Sequence, residues 1–304
     1  MRDIFIDLLR QKALKDPRIV LITGDLGFGV LDRYRAELPH QFINAGIAEQ
    51  NMTGLATGLA LEGYRVFTYS IGNFCSLRCL EQIRNDVCLH NANVKIISIG
   101  SGLGYGALGM SHHATEDVSI LRALPNLRVY SPSDLSEVQV LIEALMSYEG
   151  PAYVRLGKVA LDPNDVRTVA INGCNCWRKA HLNVPCILLT HGTTATLAQS
   201  VCEQIPFDCE VYTIPCIKPL PENALYTLLK GKRLIVTIEE HTLLGGFGSA
   251  IGEYLLDKGI TVPLYRFGLP DQFITVGGTS DELRRLCGLE ASNIVATIQR
   301  RFQQ

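Results

Sequence analysis

The sequence predicts an α/β protein with two α/β domains built on mostly parallel sheets, and three observations carry that reading. Short runs of β-branched and aliphatic residues recur along the 304 residues. Each run is nearly continuous in apolar character, as in strands buried on both faces of a parallel sheet. Helix-length segments separate the runs, which is the order of βαβ units. Between Lys158 and Pro185 the pattern breaks into turn formers without helical period, the composition of a connection between domains.

The first domain, expected over 1–160, draws its strands from RIVLIT (18–23), YRVFTYS (64–70), VKIISIG (94–100), the RVYS run (128–131) and AYVRL (152–156). After a connection at 161–184, the second domain at 185–304 restarts with CILLT (186–190), CEVYTI (209–214), RLIVTIEE (233–240) and VPLYRF (262–267). A hydrophobic content of 47% is enough to fill a core in each. The length also fits two domains of about 150 residues.

Lys and Arg number 28 against 30 for Asp and Glu, a formal charge of −2. That balance offers no broad field to nucleic acid or an anionic membrane, so a small-molecule substrate is expected instead. The start, MRDIFIDLLRQK, sets Asp3 and Asp7 inside its apolar stretch and lacks the apolar core of a signal peptide. No run reaches the ~18 apolar residues of a membrane span, and the expected location is the cytoplasm. The ten cysteines fall within apolar segments, as in Cys75-x₃-Cys79 and Cys174-x-Cys176, and are expected as reduced, mostly buried thiols. Neither a CxxC pair nor His-x₃-His occurs, so no metal site is expected on this chain.

Ligands of open α/β sheets bind beyond the carboxyl ends of the strands, and the first strand ends in Thr23-Gly24-Asp25-Leu26-Gly27-Phe28-Gly29. Gly27-x-Gly29 has neither the dinucleotide nor the P-loop spacing and serves equally as a turn or a ligand loop. Asn44–Ala60 reads as one helix dense in Gly, Ala and Thr, which neighbouring elements can approach closely. Glu49 on such a buried helix must be paired, protonated or functional. A salt-bridged structural glutamate and a catalytic one both meet that requirement.

Asn44–Asn51, with Gly46-Ile47-Ala48-Glu49-Gln50 at its centre, resembles the segment carrying the catalytic glutamate of transketolases and deoxyxylulose-phosphate synthases. The resemblance continues through Phe74, Arg78-x₃-Gln82-x-Arg84, and Ser111-His112-His113 before Glu116-Asp117. It extends to Leu124-Pro125-Asn126-Leu127, Ser131-Pro132-Ser133-Asp134, Lys218-Pro219-Leu220, Glu239-Glu240-His241, Gly245–Ala250 and Gly268-x-Pro270-Asp271. It covers nearly the whole chain. It implies a pyrimidine-binding domain followed by the transketolase C-terminal domain. The diphosphate-binding domain, marked by Gly-Asp-Gly and a downstream Asn, has no counterpart here.

The resemblance therefore implies one subunit of a split transketolase, a transferase moving a two-carbon ketol unit from a ketose to an aldehyde. Thiamine diphosphate, with Mg²⁺ or Ca²⁺ held mainly by a separate diphosphate-binding chain, is the implied cofactor. The expected assembly is α2β2 with self-association of this chain, serving carbohydrate metabolism on small sugars or sugar phosphates. Glu49 would hydrogen-bond the aminopyrimidine ring and favour its imino form, while Phe74 stacks on that ring. Asp25, Leu26, Ile71 and Arg78 are expected to complete the cofactor pocket. His112 would face substrate oxygens and relay protons, and His113, where the family has Gln, would bind substrate. Arg155 and Arg2 match arginines that grip a substrate phosphate. Without that context Phe74 reads as a core aromatic and His112-His113 as a surface loop. Gly29, Gly100 and Leu108 replace a serine, a histidine and an aspartate that contact pentose phosphates in the family. A deoxyxylulose-phosphate-type synthase, a 2-oxoacid dehydrogenase beta chain and a non-catalytic binding or regulatory paralogue are the alternatives.

Overall fold

A computed structural model describes residues 1–158, 167–180 and 184–302. Of the expected connection at 161–184, residues 161–166 and 181–183 lie outside the described part. Twelve strands are described: β1 (Ile19–Thr23), β2 (Phe42–Asn44), β3 (Arg65–Ile71), β4 (Val94–Ile99), β5 (Arg128–Tyr130), β6 (Ala152–Leu156), β7 (Asn175–Arg178), β8 (Cys186–Thr190), β9 (Cys209–Thr213), β10 (Cys216–Lys218), β11 (Leu234–Thr242) and β12 (Leu264–Leu269). They form a seven-stranded sheet ordered β10-β5-β6-β4-β3-β1-β2 and a five-stranded sheet ordered β12-β11-β8-β9-β7. Ladders within each sheet are parallel except β10 on β5 and β7 on β9.

The continuous apolar runs explain the sheets. β1, β4, β6 and β8 are buried at every position, which only strands covered on both faces can be. One apolar cluster runs from Val20, Met52 and Val66 through Ile96 and Tyr153 to Ile187, Ile235 and Phe247, so the two sheets share a core. The covering helices carry the expected stripes and caps. Helix 135–147 buries Val138, Leu141, Ile142 and Leu145, and Asp134 caps it by accepting from Glu137 N at 2.8 Å. Among the described residues no helix is long and apolar enough to cross a membrane.

The structure departs from the sequence reading at several places. Asn44–Ala48 is not helical: β2 ends at Asn44, a turn follows, and the helix begins at Glu49. β7 lies inside the stretch expected as connection and pairs with β9. β10 follows β9 in sequence but joins the first sheet as its edge. Cys202 and Cys209 form a disulfide, where reduced thiols are expected.

Charged groups meet where the two sheets approach each other. Asp117, Arg155, Glu239, Glu240 and His241 are each at most 1% exposed. Glu239 accepts from Phe247 N at 2.7 Å and Gly248 N at 2.8 Å, at the start of helix 247–257. His241 donates from Nδ1 to Thr242 O at 2.8 Å and accepts at Nε2 from Ser119 N at 3.3 Å, which fixes a neutral tautomer. Burial raises Glu239 to about 7 and lowers His241 to about 4.

These two shifts have opposite linkage signs. The raised Glu239 contributes stability that is present below about 4.5 and lost as pH climbs to about 7. The lowered His241 contributes stability that is present above 6.5 and lost as pH falls to about 4. Relative to the unsubstituted chain, Glu239→Gln is expected to gain stability as pH rises across this window, and His241→Gln to lose it. Urea midpoints at several pH values check the opposite slopes; parallel slopes in the two variants contradict the assignment.

Candidate active site

The strands whose carboxyl ends carry the candidate residues are neighbours in the sheet, in the order β6-β4-β3-β1-β2. β1 leads into Gly24–Gly29, β3 into the short helix bearing Phe74, β4 into the Gly100–His113 loop, and β6 into Lys158. β2 leads through residues 45–48 into Glu49, so the sheet converges five loops at one end.

Glu49 opens helix 49–61 and is 2% exposed. A carboxylate in the first helical turn faces the positive end of the helix dipole, which lessens the cost of burial. Its second requirement is a partner: Arg78 Nη1 donates to Glu49 Oε2 at 2.6 Å. Arg78 is 43% exposed at its side chain, and its guanidinium lies 4.4 Å from the Phe74 ring centre. The Phe74 ring in turn meets His112 edge to face, 5.1 Å between centroids. Ser111 Oγ sits 3.0 Å from His112 Nδ1 and orients that ring. Four residues expected from sequence therefore form one row: Glu49, Arg78, Phe74, His112.

The remaining candidates separate into rim, floor and core. Asp25 is exposed at φ 57°, held by Asn44, whose Nδ2 donates to Asp25 Oδ1 at 2.9 Å while Asp25 N donates to Asn44 Oδ1 at 3.1 Å. Leu26 and Ile71 are half-buried and pack on the same apolar cluster. The Arg2 side chain is 41% exposed, paired with Asp3 at 3.0 Å, and lines a cleft with Phe28 and Gly29.

One expectation needs correction. Arg155 is 1% exposed, with Nε donating to Asp117 Oδ2 at 2.8 Å and Nη2 to the carbonyls of Ala114 (2.8 Å) and Glu240 (3.0 Å). It holds the two domains together and is not presented to a substrate phosphate. His113 is 5% exposed, with Nε2 buried; burial lowers its pKa, and it lines a cavity with Asn73, Thr115 and Asp271.

Sequence reasoning missed Tyr105, Lys158 and Gly24. A Cβ on Gly24 would lie 3.2 Å from Glu49 Cγ, so the absence of a side chain there admits the glutamate. Lys158 is exposed directly past the end of β6, a position that could have been read from the strand pattern.

The row fits a planar, hydrogen-bonding heterocycle. Arg78 already shows that a flat N–H donor over the Phe74 face reaches the Glu49 carboxylate. The pyrimidine of thiamine diphosphate is flat, and in the imino form that Glu49 would favour its ring nitrogen carries such an N–H.

Comparison with known proteins assigns the chain to one family. Residues 1–163 match the model of the transketolase pyrimidine binding domain, and residues 180–294 that of the transketolase C-terminal domain. An apulose-4-phosphate transketolase subunit from Phocaeicola vulgatus is 32% identical over 97% of this chain and 95% of its own. A 6-deoxy-6-sulfo-D-fructose transketolase subunit from Clostridium sp. (strain MSTE9) is 33% identical over 97% and 92%. Among solved structures, a split gene transketolase described as an inactive beta4 tetramer superposes with TM-score 0.84 at 28% identity, covering 98% of this chain and 96% of that one.

Removing Arg155 strands Asp117 as an uncompensated buried charge. Arg155→Ala is expected to cost about 3–5 kcal/mol of stability, read from urea unfolding. An unchanged midpoint would contradict the structural role assigned to this arginine.

Proposed function

The chain belongs to the transketolase family, and from that premise we propose that it is the subunit of a split, thiamine diphosphate-dependent transketolase that provides the activating carboxylate. It works as a transferase, passing a two-carbon ketol unit from a ketose to an aldehyde acceptor. The observation that carries this reading is the contact row from buried Glu49 through Arg78 and Phe74 to His112.

When bound, thiamine diphosphate supplies the nucleophilic carbon of its thiazolium ring. Glu49 would hold the pyrimidine ring by a hydrogen bond, Phe74 would pack on its face, and Leu26 and Ile71 would exclude water beside it. Asp25 and Arg78 would border the same ring. His112, oriented by Ser111, would bind or relay a proton at substrate oxygens. Arg2 stands at the outer edge of the site.

The relatives named as transketolase subunits, matched over 95% and 92% of their own length, support assigning the diphosphate and its Mg²⁺ or Ca²⁺ to a second chain. The relatives' designation as subunits, and the inactivity of the solved β tetramer, support a requirement for that partner. We propose an α2β2 assembly in the cytoplasm, with sites formed between chains and small sugars or sugar phosphates as substrates. The domains proposed are 1–160 for pyrimidine binding and 185–304 for the C-terminal unit.

Glu49→Gln in the reconstituted two-chain enzyme tests the reading. Turnover is expected to fall by about 10²-fold or more, the scale of acid–base contributions. Undiminished partner-dependent turnover would overturn the catalytic role and favour a non-catalytic paralogue.

A further inference from the structure

The row of contacts continues past His112 to Tyr105 and Lys158, which nothing above assigns to the reaction. The His112 ring meets Tyr105 at 6.4 Å between centroids. Lys158 Nζ lies 4.4 Å from the centre of the Tyr105 ring. The Tyr105 phenol lies beside Arg2, whose guanidinium offsets part of the upward push that burial gives its pKa. A phenol flanked by two cations thus closes the end of the row opposite to Glu49.

Tyr105 owes this place to a missing side chain. Gly100 has φ 73°, and a Cβ there would sit 2.0 Å from Tyr105 Cε2. Any side chain at position 100 would displace the ring. The loop is also clamped from the second domain: Leu103 N donates to Glu240 Oε1 at 2.6 Å, and Ser280 Oγ donates to Leu103 O at 2.9 Å. Two residues from the clamp, Tyr105 is held by a fixed backbone and half-buried, packed against the cluster that also supports Leu26 and Ile71.

We propose that Tyr105 is a specificity-determining residue of the ketol transfer, its phenol donating a hydrogen bond to an anionic group at the end of the ketose remote from the reacting carbon. The inference rests on the transketolase reading. Glu49 and Phe74 set the cofactor end of the row, His112 stands between, and a substrate extending past His112 arrives at Tyr105 with Arg2 and Lys158 beside it. A phenol held by a fixed backbone adds a positioned donor to the two flexible cations, and a hydrogen bond from it to a charged acceptor is about twice as strong as a neutral one.

The test uses the reconstituted two-chain enzyme with two donors, fructose 6-phosphate and the shorter hydroxypyruvate. Tyr105→Phe removes only the hydroxyl; Tyr105→Val also opens the space over Gly100. Tyr105→Phe is expected to raise KM for fructose 6-phosphate about tenfold more than KM for hydroxypyruvate, with kcat following the two donors alike. Tyr105→Val is expected to widen that gap further. Equal effects on both donors, or none on either, would overturn the proposal, because a ring that only shapes the loop does not distinguish them. Absence of transfer from both donors by the unsubstituted pair would overturn the ketol-transfer reading, and this inference with it.

Discussion

A carboxylate that is 2% exposed must be compensated, and much of the site follows from how this chain compensates Glu49. The helix begins at that residue, so its free N–H groups face the charge. Gly24 leaves room for the side chain, and Arg78 pairs with it while lying over Phe74. The salt-bridged glutamate here is also the residue proposed to hold the cofactor ring. The partner of Glu49 is a half-exposed planar cation on an aromatic face, which differs from a sealed buried pair such as Arg155–Asp117 at 1% and 0% side-chain exposure.

The second domain acts on the site through the backbone. Glu240 is 1% exposed, pairs with Arg284, and accepts from Leu103 N in the loop that carries Tyr105 and His112. Arg155 closes the other side of this junction by donating to the carbonyl of Glu240. Glu137 ties the helix after β5 to β7 and β9, through Asn175 at 2.8 Å and Thr213. Groups that carry charge into the interior here all bridge separate elements, which is where a buried polar network specifies one arrangement.

The architecture was legible because strands buried on both faces leave continuous apolar runs, and nine of those runs coincide with strands. The short edge strands were not: β2, β7 and β10 have three or four residues each and draw their stability from tertiary pairing, so local pattern hardly marks them. The helix start at Glu49 was hidden because Asn44–Ala48 shares the small-residue composition of the helix it precedes. Glu49, Phe74, Arg78 and His112 were found through motif resemblance, and the structure brings them together. Arg155 was misplaced for a physical reason: its neighbours Tyr153 and Leu156 announce a buried strand, and an arginine on such a strand needs an internal carboxylate, here Asp117. Tyr105 was invisible because its position depends on Gly100, whose missing side chain only coordinates turn into space.

The central claim is that this chain holds the pyrimidine half of a cofactor site and not the diphosphate half. Calorimetric titration of thiamine diphosphate with Mg²⁺ tests it most directly, first into the chain alone and then into the chain mixed with a Gly-Asp-Gly-bearing partner. The account expects no heat of binding for the chain alone, and binding near ~1 μM, about −8 kcal/mol, for the pair. Tight binding by the chain alone would contradict it, since the diphosphate would then be held by residues outside the row described.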